Sequence, residues 1–221
     1  MKIIARIYNG FESKFGIPRQ GVLCSSIESR IIFEKEYRSK DAIRGIEGFS
    51  HLWLIWEFSS FNDHKKTLTV RPPRLGGNKR VGVFATRSPL RPNPIGLTSV
   101  RLERVFESSP DGPMLIVSGA DMMSGTPIYD IKPYVAYADS HPDAKGGFTD
   151  DVEFKRLDIE KEEGVVIPEE IEEDLQQILS SDPRPQYHND RERLYGMSYA
   201  GYNIRFKVYD EKLVIVSIEK E

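Results

Sequence analysis

Two loops in this chain carry arginine on a stiffened backbone. Arg71-Pro72-Pro73-Arg74-Leu75-Gly76-Gly77-Asn78-Lys79-Arg80 precedes an apolar run at 81–86, and Arg87-Ser88-Pro89-Leu90-Arg91-Pro92-Asn93-Pro94-Ile95-Gly96 follows it. Proline fixes φ and lowers backbone entropy, so an arginine beside it loses less freedom on gripping an anion. The guanidinium fork can hold a carboxylate or phosphate through two hydrogen bonds. Gly76-Gly77 lets a backbone approach a ligand or adopt positive φ. Rigid loops with placed cations describe an anion-binding site; the bland alternative is a Pro-rich rim with solvated arginines.

Other chemistries find no footing. No Gly-x-Gly-x-x-Gly follows a strand, and Gly76-Gly77-Asn78-Lys79 lacks Walker spacing and its Ser/Thr. No Gly-x-Ser-x-Gly elbow occurs. His51, His64, His141 and His188 show no metal-ligand spacing, and Cys24 is the single thiol, so neither a metal site nor an internal disulfide is expected.

The chain has 221 residues, with Lys+Arg 31 against Asp+Glu 34. That length suffices for a real core in one large domain or two small ones. The net charge of −3 argues against broad nucleic-acid binding, but its distribution is uneven. Eight Lys/Arg and one acid lie between residues 71 and 104, whereas twelve acids lie between 150 and 174, so a basic working face can sit on an acidic protein. No run approaches the roughly 18–20 apolar residues of a membrane span. Charge enters Met1-Lys2-Ile3-Ile4-Ala5-Arg6 too early for a signal peptide, and a soluble cytoplasmic protein is expected.

The elements that must position the two loops are mainly β. Runs rich in Ile, Val, Phe and Tyr at 2–8, 30–37, 50–58, 67–71, 81–86, 98–106, 114–118 and 127–135 predict about eight strands in a barrel-like N-terminal domain, 1–140. Asp111-Gly112 predicts a hairpin turn, and Ser39 and Gly45 bracket a short helix. Residues 141–166 read as linker. A small α+β domain, 167–221, is expected to hold a helix at 168–180, with Ile171, Leu175, Ile178 and Leu179 on one stripe, and a terminal hairpin of 199–209 with 212–219. His51 reads as a core histidine or, functionally, as a pocket-lining or proton-transfer residue, and Trp53 and Trp56 read as packing residues. Asp121, Asp130, Lys132 and Tyr134 read either as pocket residues or as core, with an Asp–Lys pair buried in the barrel.

Pro18-Arg19-Gln20, Ser50-His51-Leu52-Trp53, both Pro-rich loops, Phe84-Ala85-Thr86, Asp130-Ile131-Lys132-Pro133-Tyr134, Asp182-Pro183-Arg184-Pro185-x-Tyr187 and Tyr195-Gly196 together resemble the TsaA-like (TrmO) family. The resemblance spans nearly the whole chain apart from 140–166. It implies a non-Rossmann β-barrel methyltransferase, a homodimer with the cofactor near the subunit interface, and methyl transfer from S-adenosylmethionine to N6 of threonylcarbamoyladenosine beside the anticodon of a tRNA.

The resemblance also implies a set of residues. Pro18, Arg19 and Gln20 would bind the cofactor, Gln20 at an adenine edge and Arg19 at a carboxylate. Arg87 would take the methionyl carboxylate or ribose, Leu97 would wall the adenine, and Ser124-Gly125-Thr126-Pro127 would close on the cofactor. Ser124 stands where the family usually has Asp, and Ser59, followed by Ser60, where it often has His. Arg71, Arg74, Lys79 and Arg91 are phosphate candidates on the tRNA, with Arg184 and Tyr187 reaching the anticodon stem-loop. No residue is singled out as the proton acceptor. The alternatives are the same fold acting on a small-molecule acceptor, separable by salt-sensitive tRNA binding, and a non-catalytic module binding adenosyl nucleotides or RNA.

Overall fold

In the computed structural model, which describes residues 1–59, 66–72, 75, 79–151, 155–184 and 190–221, the mainly β expectation is met. Eight strands come first: β1 (Ala5–Tyr8), β2 (Glu28–Phe33), β3 (His51–Glu57), β4 (Thr69–Val70), β5 (Val81–Gly82), β6 (Ile95–Phe106), β7 (Met114–Ser118) and β8 (Pro127–Pro133). Six of them close a barrel in the order β1-β2-β7-β6-β3-β8, every described pair antiparallel. Alternation sets its inside: Leu52, Leu54 and Trp56 of β3 are buried, while Trp53, Ile55 and Glu57 are only half-buried. Ala5, Ile7, Ile31, Phe33, Val100, Leu115, Val117 and Ile128 join Leu52 and Leu54 in the barrel core.

Two of the eight expected strands are shorter than the sequence suggests and stand outside the barrel. β4 and β5 pair only with each other, and Val83–Ala85, expected as strand, is a 3-10 turn leading into the second Arg-rich loop. The short helix is present as α1 (Lys40–Ile43): the Ser39 hydroxyl accepts the Asp41 N–H, and Gly45 has φ +85°. A one-turn helix, α2 (Ala136–Asp139), follows the barrel. His51 is exposed rather than core, with Nδ1 2.9 Å from the Ser50 hydroxyl, because it opens its strand at the barrel's rim. The expected buried Asp–Lys pair is a surface one: Asp130 and Lys132 are 3.1 Å apart with side chains 46% and 62% exposed.

The C-terminal unit lays α3 (Glu169–Ser180) against a four-stranded sheet of order β10-β11-β12-β9, with β9 (Asp158–Lys161), β10 (Tyr195–Tyr199), β11 (Tyr202–Tyr209) and β12 (Lys212–Lys220). The predicted stripe of α3 is buried throughout. β9 lies inside the stretch read as linker and pairs parallel to β12. It escapes a pattern search because three of its four residues are charged, a common composition for a sheet edge. No helix among the described residues is long and apolar enough to cross a membrane.

The two units share their interior. Phe11, Cys24 and Ile27, on the connection between β1 and β2, are buried in one cluster with Leu175, Ile178, Tyr199 and Phe206. Burial pushes the Cys24 thiol up to about 12. Ala200 N–H donates to the Gly10 carbonyl at 2.9 Å, and the Phe11 and Tyr199 rings lie 5.1 Å apart. Tyr199 also donates its hydroxyl to Asp174 on α3 at 2.5 Å. Burial raises the Asp174 carboxyl above its ordinary value, so its partner matters. Tyr199→Phe is expected to cost about 1–3 kcal/mol by leaving Asp174 short of a donor; urea unfolding with an unchanged midpoint would refute this.

Candidate active site

A cleft of about 720 Å³ opens where β3 ends and β6 begins. Its volume lies within the ordinary range for small-molecule sites, about 300–1,000 Å³. Four segments distant in sequence wall it: the β1–β2 connection with Pro18, Arg19 and Gln20; the end of β3 with Trp56, Glu57 and Phe58; the stretch from Thr86 into β6 with Arg87, Arg91, Leu97 and Thr98; and the β7–β8 connection with Asp121, Met122 and Thr126.

Each wall has a local cause. In the second Arg-rich loop the Thr86 hydroxyl donates to the Val83 carbonyl at 2.8 Å and accepts the Ser88 N–H, and the Ser88 hydroxyl accepts the Leu90 N–H. Such side-chain turns, with Pro89 between them, fix the loop from which Arg87 projects. Arg91 Nη1 donates back to the Thr86 carbonyl at 3.2 Å. The Trp56 indole lies flat over Gly96, where a Cβ would come within 2.2 Å of its ring; glycine is required there. Gly21 packs its α-carbon against the Gly119 carbonyl, joining the β1–β2 and β7–β8 connections.

A hydrogen-bonded chain links the C-terminal unit to the cleft. Asp182 carries the Arg184 guanidinium through both carboxylate oxygens at 3.0 and 3.1 Å. The Arg184 carbonyl accepts Arg19 Nη2 at 2.9 Å. Gln20 Nε2 donates to the Arg19 carbonyl, and Arg87 Nη1 donates to Gln20 Oε1. Both ends of the Gln20 amide are thus engaged in holding the two arginine positions in register. Among the described lining residues four cations, Lys14, Arg19, Arg87 and Arg91, stand against two acids, Glu57 and Asp121, which favours an anionic group.

Deeper in the wall, the Trp56 indole N–H donates to the Thr98 hydroxyl at 3.0 Å, and Thr98 donates to Asp121 Oδ1 at 2.7 Å. Burial pushes the Asp121 carboxyl above its ordinary value, while Thr98 and the Arg87 charge pull it partly back. Glu57 accepts the Tyr129 hydroxyl; burial and that carboxylate push the phenol up to about 12. At one edge, the Trp53 indole N–H donates to Asp139 at 3.1 Å.

Of the residues expected at a cofactor, Pro18, Arg19, Gln20, Ser59, Arg87, Leu97 and Thr126 are brought together here. Ser124 borders a separate, shallower depression with Tyr8, Arg30 and Arg104, and Gly125 and Pro127 are not lining residues. Ser60 lies outside the described residues. Of the expected tRNA contacts, Arg91 lines the cleft, Arg184 sits half-buried in the chain of hydrogen bonds above, and Arg71 and Lys79 are exposed. Arg74 and Tyr187 lie outside the described residues. Sequence reasoning missed Glu57, Phe58, Thr98 and Met122; the available signal was their adjacency to residues already singled out.

Residues 6–140 match the family model described as the tRNA-methyltransferase O N-terminal domain, and residues 151–221 match the TrmO C-terminal domain. The tRNA (adenine(37)-N6)-methyltransferase of Escherichia coli K12 is 37% identical over 231 aligned positions, covering 98% of this chain and 96% of that protein. A Pseudomonas aeruginosa protein described as a putative S-adenosylmethionine-dependent methyltransferase RcsF is 40% identical, covering 88% of this chain and 86% of its own. A crystal structure of TrmO from Pseudomonas aeruginosa superposes with a TM-score of 0.76 at 29% identity, covering 98% of this chain and 97% of that one.

Proposed function

This chain belongs to the tRNA-methyltransferase O family, and from that membership we propose that it transfers a methyl group from S-adenosylmethionine to N6 of adenine 37 in a tRNA, next to the anticodon. The observation that carries the reading is the near full-length likeness to an enzyme of that name, joined to a cleft that gathers Arg19 and Gln20 from one segment and Arg87 and Leu97 from another.

The cleft fits the donor. Arg87 and Arg19 offer guanidinium forks to its carboxylate, and Leu97 and Met122 offer apolar wall to its adenine. When bound, S-adenosylmethionine supplies an electrophilic methyl on a sulfonium. The protein's part is to hold nitrogen, carbon and sulfur in line, and positioning of this kind can supply much of a rate enhancement. The stiff loop bearing Arg87 and Arg91 suits that task. The acceptor we propose is threonylcarbamoyladenosine, whose carboxylate matches the cationic excess of the cleft.

Arg71 and Lys79, exposed beside the β4–β5 ribbon, are proposed phosphate contacts, Arg91 a further one at the cleft, and Arg184 an approach to the anticodon stem-loop. Changing Arg71 and Lys79 together to Ala is expected to weaken tRNA binding uniformly across sequences and to reduce the salt-dependence slope by about 2, one per phosphate lost. An unchanged slope would remove them from the interface. A homodimer in the cytoplasm completes the reading; the exposure of Leu68, Phe84 and Leu97, at 75%, 74% and 57%, supports apolar contact with a second copy.

The deciding experiment supplies methyl-labelled S-adenosylmethionine with two tRNA pools, one carrying threonylcarbamoyladenosine and one from cells unable to make it. Label only in the first pool is expected. Equal label in both would keep the transferase and discard the acceptor, and label in neither would reject the reading.

A further inference from the structure

Methyl transfer to N6 leaves one proton to be removed, and the cleft holds few groups able to take it. No histidine, cysteine or tyrosine side chain is among its described lining residues. Lys14 enters as an ammonium, a donor without an acceptor. Glu57 and Asp121 remain. Glu57 already accepts a phenol, and it sits on the half-buried row of β3 whose neighbours Trp53 and Ile55 share that side of the strand.

Asp121 is placed differently. It stands on the β7–β8 connection between Gln20-Gly21 on one side and the β3–β6 wall on the other. The Thr98 hydroxyl donates to it at 2.7 Å. A carboxylate offers about four lone-pair sites, so accepting capacity beyond the Thr98 hydroxyl remains. Thr98 is itself pinned by the Trp56 indole, and Trp56 by its contact with Gly96. The relay therefore runs through buried, rotamer-locked groups and ends on a carboxylate in the wall of the cleft, beside the segments that carry Arg19, Gln20 and Arg87.

We propose that Asp121 is the proton acceptor for N6 of the target adenine, held in position by Thr98 and Trp56. The inference rests on the methyl-transfer reading above. As N6 bonds to the methyl carbon, the methyl–sulfur bond breaks and its electron pair stays on sulfur, cancelling the sulfonium charge. The N6 proton passes to an Asp121 oxygen, so the nitrogen ends neutral, and the carboxylic acid then loses that proton to water. The groups facing Asp121 are Arg87 from the second Arg-rich loop, Gly21 from the β1–β2 connection, and Thr98 and Trp56, which do not titrate. Arg19, Arg91, Lys14 and Glu57 line the same cleft.

The test compares the parent protein with Asp121→Asn and Thr98→Val on tRNA carrying the modified adenine. A parent that transfers no methyl would take down the functional reading and this proposal with it. With an active parent, Asp121→Asn is expected to lower kcat by about 10²–10⁴-fold, with the calorimetric Kd for S-adenosylmethionine largely unchanged. The acidic limb of the parent's kcat profile should vanish in that variant. Thr98→Val removes a donor that favours the charged carboxylate, so the limb should move to higher pH.

A readout without substrate comes from carbon-13 carboxyl NMR of the free protein. One resonance should titrate above the ordinary aspartate range, be missing in Asp121→Asn and shift upward in Thr98→Val. The Asn variant is expected to fold: burial raises the folded-state carboxyl above its unfolded value, so ionisation opposes folding as pH rises through that window, and the amide escapes this at neutral pH. Wild-type kcat in Asp121→Asn, a loss confined to S-adenosylmethionine affinity, or a limb and resonance unmoved in Thr98→Val would each overturn the proposal.

Discussion

Gly21→Ala is expected to lower stability by about 3 kcal/mol or more, near the top of the range for overpacking. The new Cβ would stand 1.7 Å from the Gly119 carbonyl oxygen, a backbone atom that no rotamer change can move. For a chain of this size the melting temperature should fall by roughly 6–12 °C. The change also reaches the cleft. Pushing the β1–β2 connection away from the β7–β8 connection moves Gln20, which positions Arg87. Affinity for S-adenosylmethionine should therefore fall along with stability, even at a temperature where the variant is fully folded. A variant that melts and binds like the parent would show that the two connections are not wedged together here.

Arg87→Ala should do the opposite: leave stability nearly untouched and remove affinity. Arg87 is exposed, and its loop is held by Thr86, Ser88 and Pro89 rather than by its own side chain. Surface changes of that kind usually stay within about 0.5 kcal/mol. A hydrogen bond to a charged group is worth about 1.5–3 kcal/mol, so Kd for S-adenosylmethionine should rise roughly 10- to 150-fold. Arg87→Lys should recover only part of this, since an ammonium cannot present two parallel N–H groups to a carboxylate. Calorimetry on both variants decides the matter, and an unchanged Kd in Arg87→Ala would place the carboxylate elsewhere.

The sequence made some of this legible and hid the rest for identifiable reasons. α3 announced itself through the Ile171, Leu175, Ile178 and Leu179 stripe, because a helix packing on a sheet needs that period. Barrel strands such as β7 were readable as apolar runs ended by turn residues. β10 was not, because the turn that ends it uses Ala200 at φ +51° before Gly201 at +78°, and alanine gives no turn signal. The cleft was legible where its residues cluster in sequence, as in Pro18-Arg19-Gln20 and Arg87. Asp121 was legible as a residue of pocket or core, but the parts of Trp56 and Thr98 were not, since a tryptophan or threonine in a strand reads as packing. Only the closing of the barrel brings the three within hydrogen-bonding distance.

The shared interior has a consequence for how the protein is made. Phe11, Cys24 and Ile27 leave the ribosome well before their burial partners in α3, β10, β11 and β12. Synthesis is slow compared with the closing of a barrel or a helix, at about 5–20 residues per second. The barrel can close once β8 is out, yet Arg19 still lacks the carbonyl of Arg184 that receives it. The loop that bears Gln20 waits, its apolar neighbours unburied, until α3 and the strands beyond it have followed. A piece of the cleft made before β2 is thus completed by a piece made after the whole barrel.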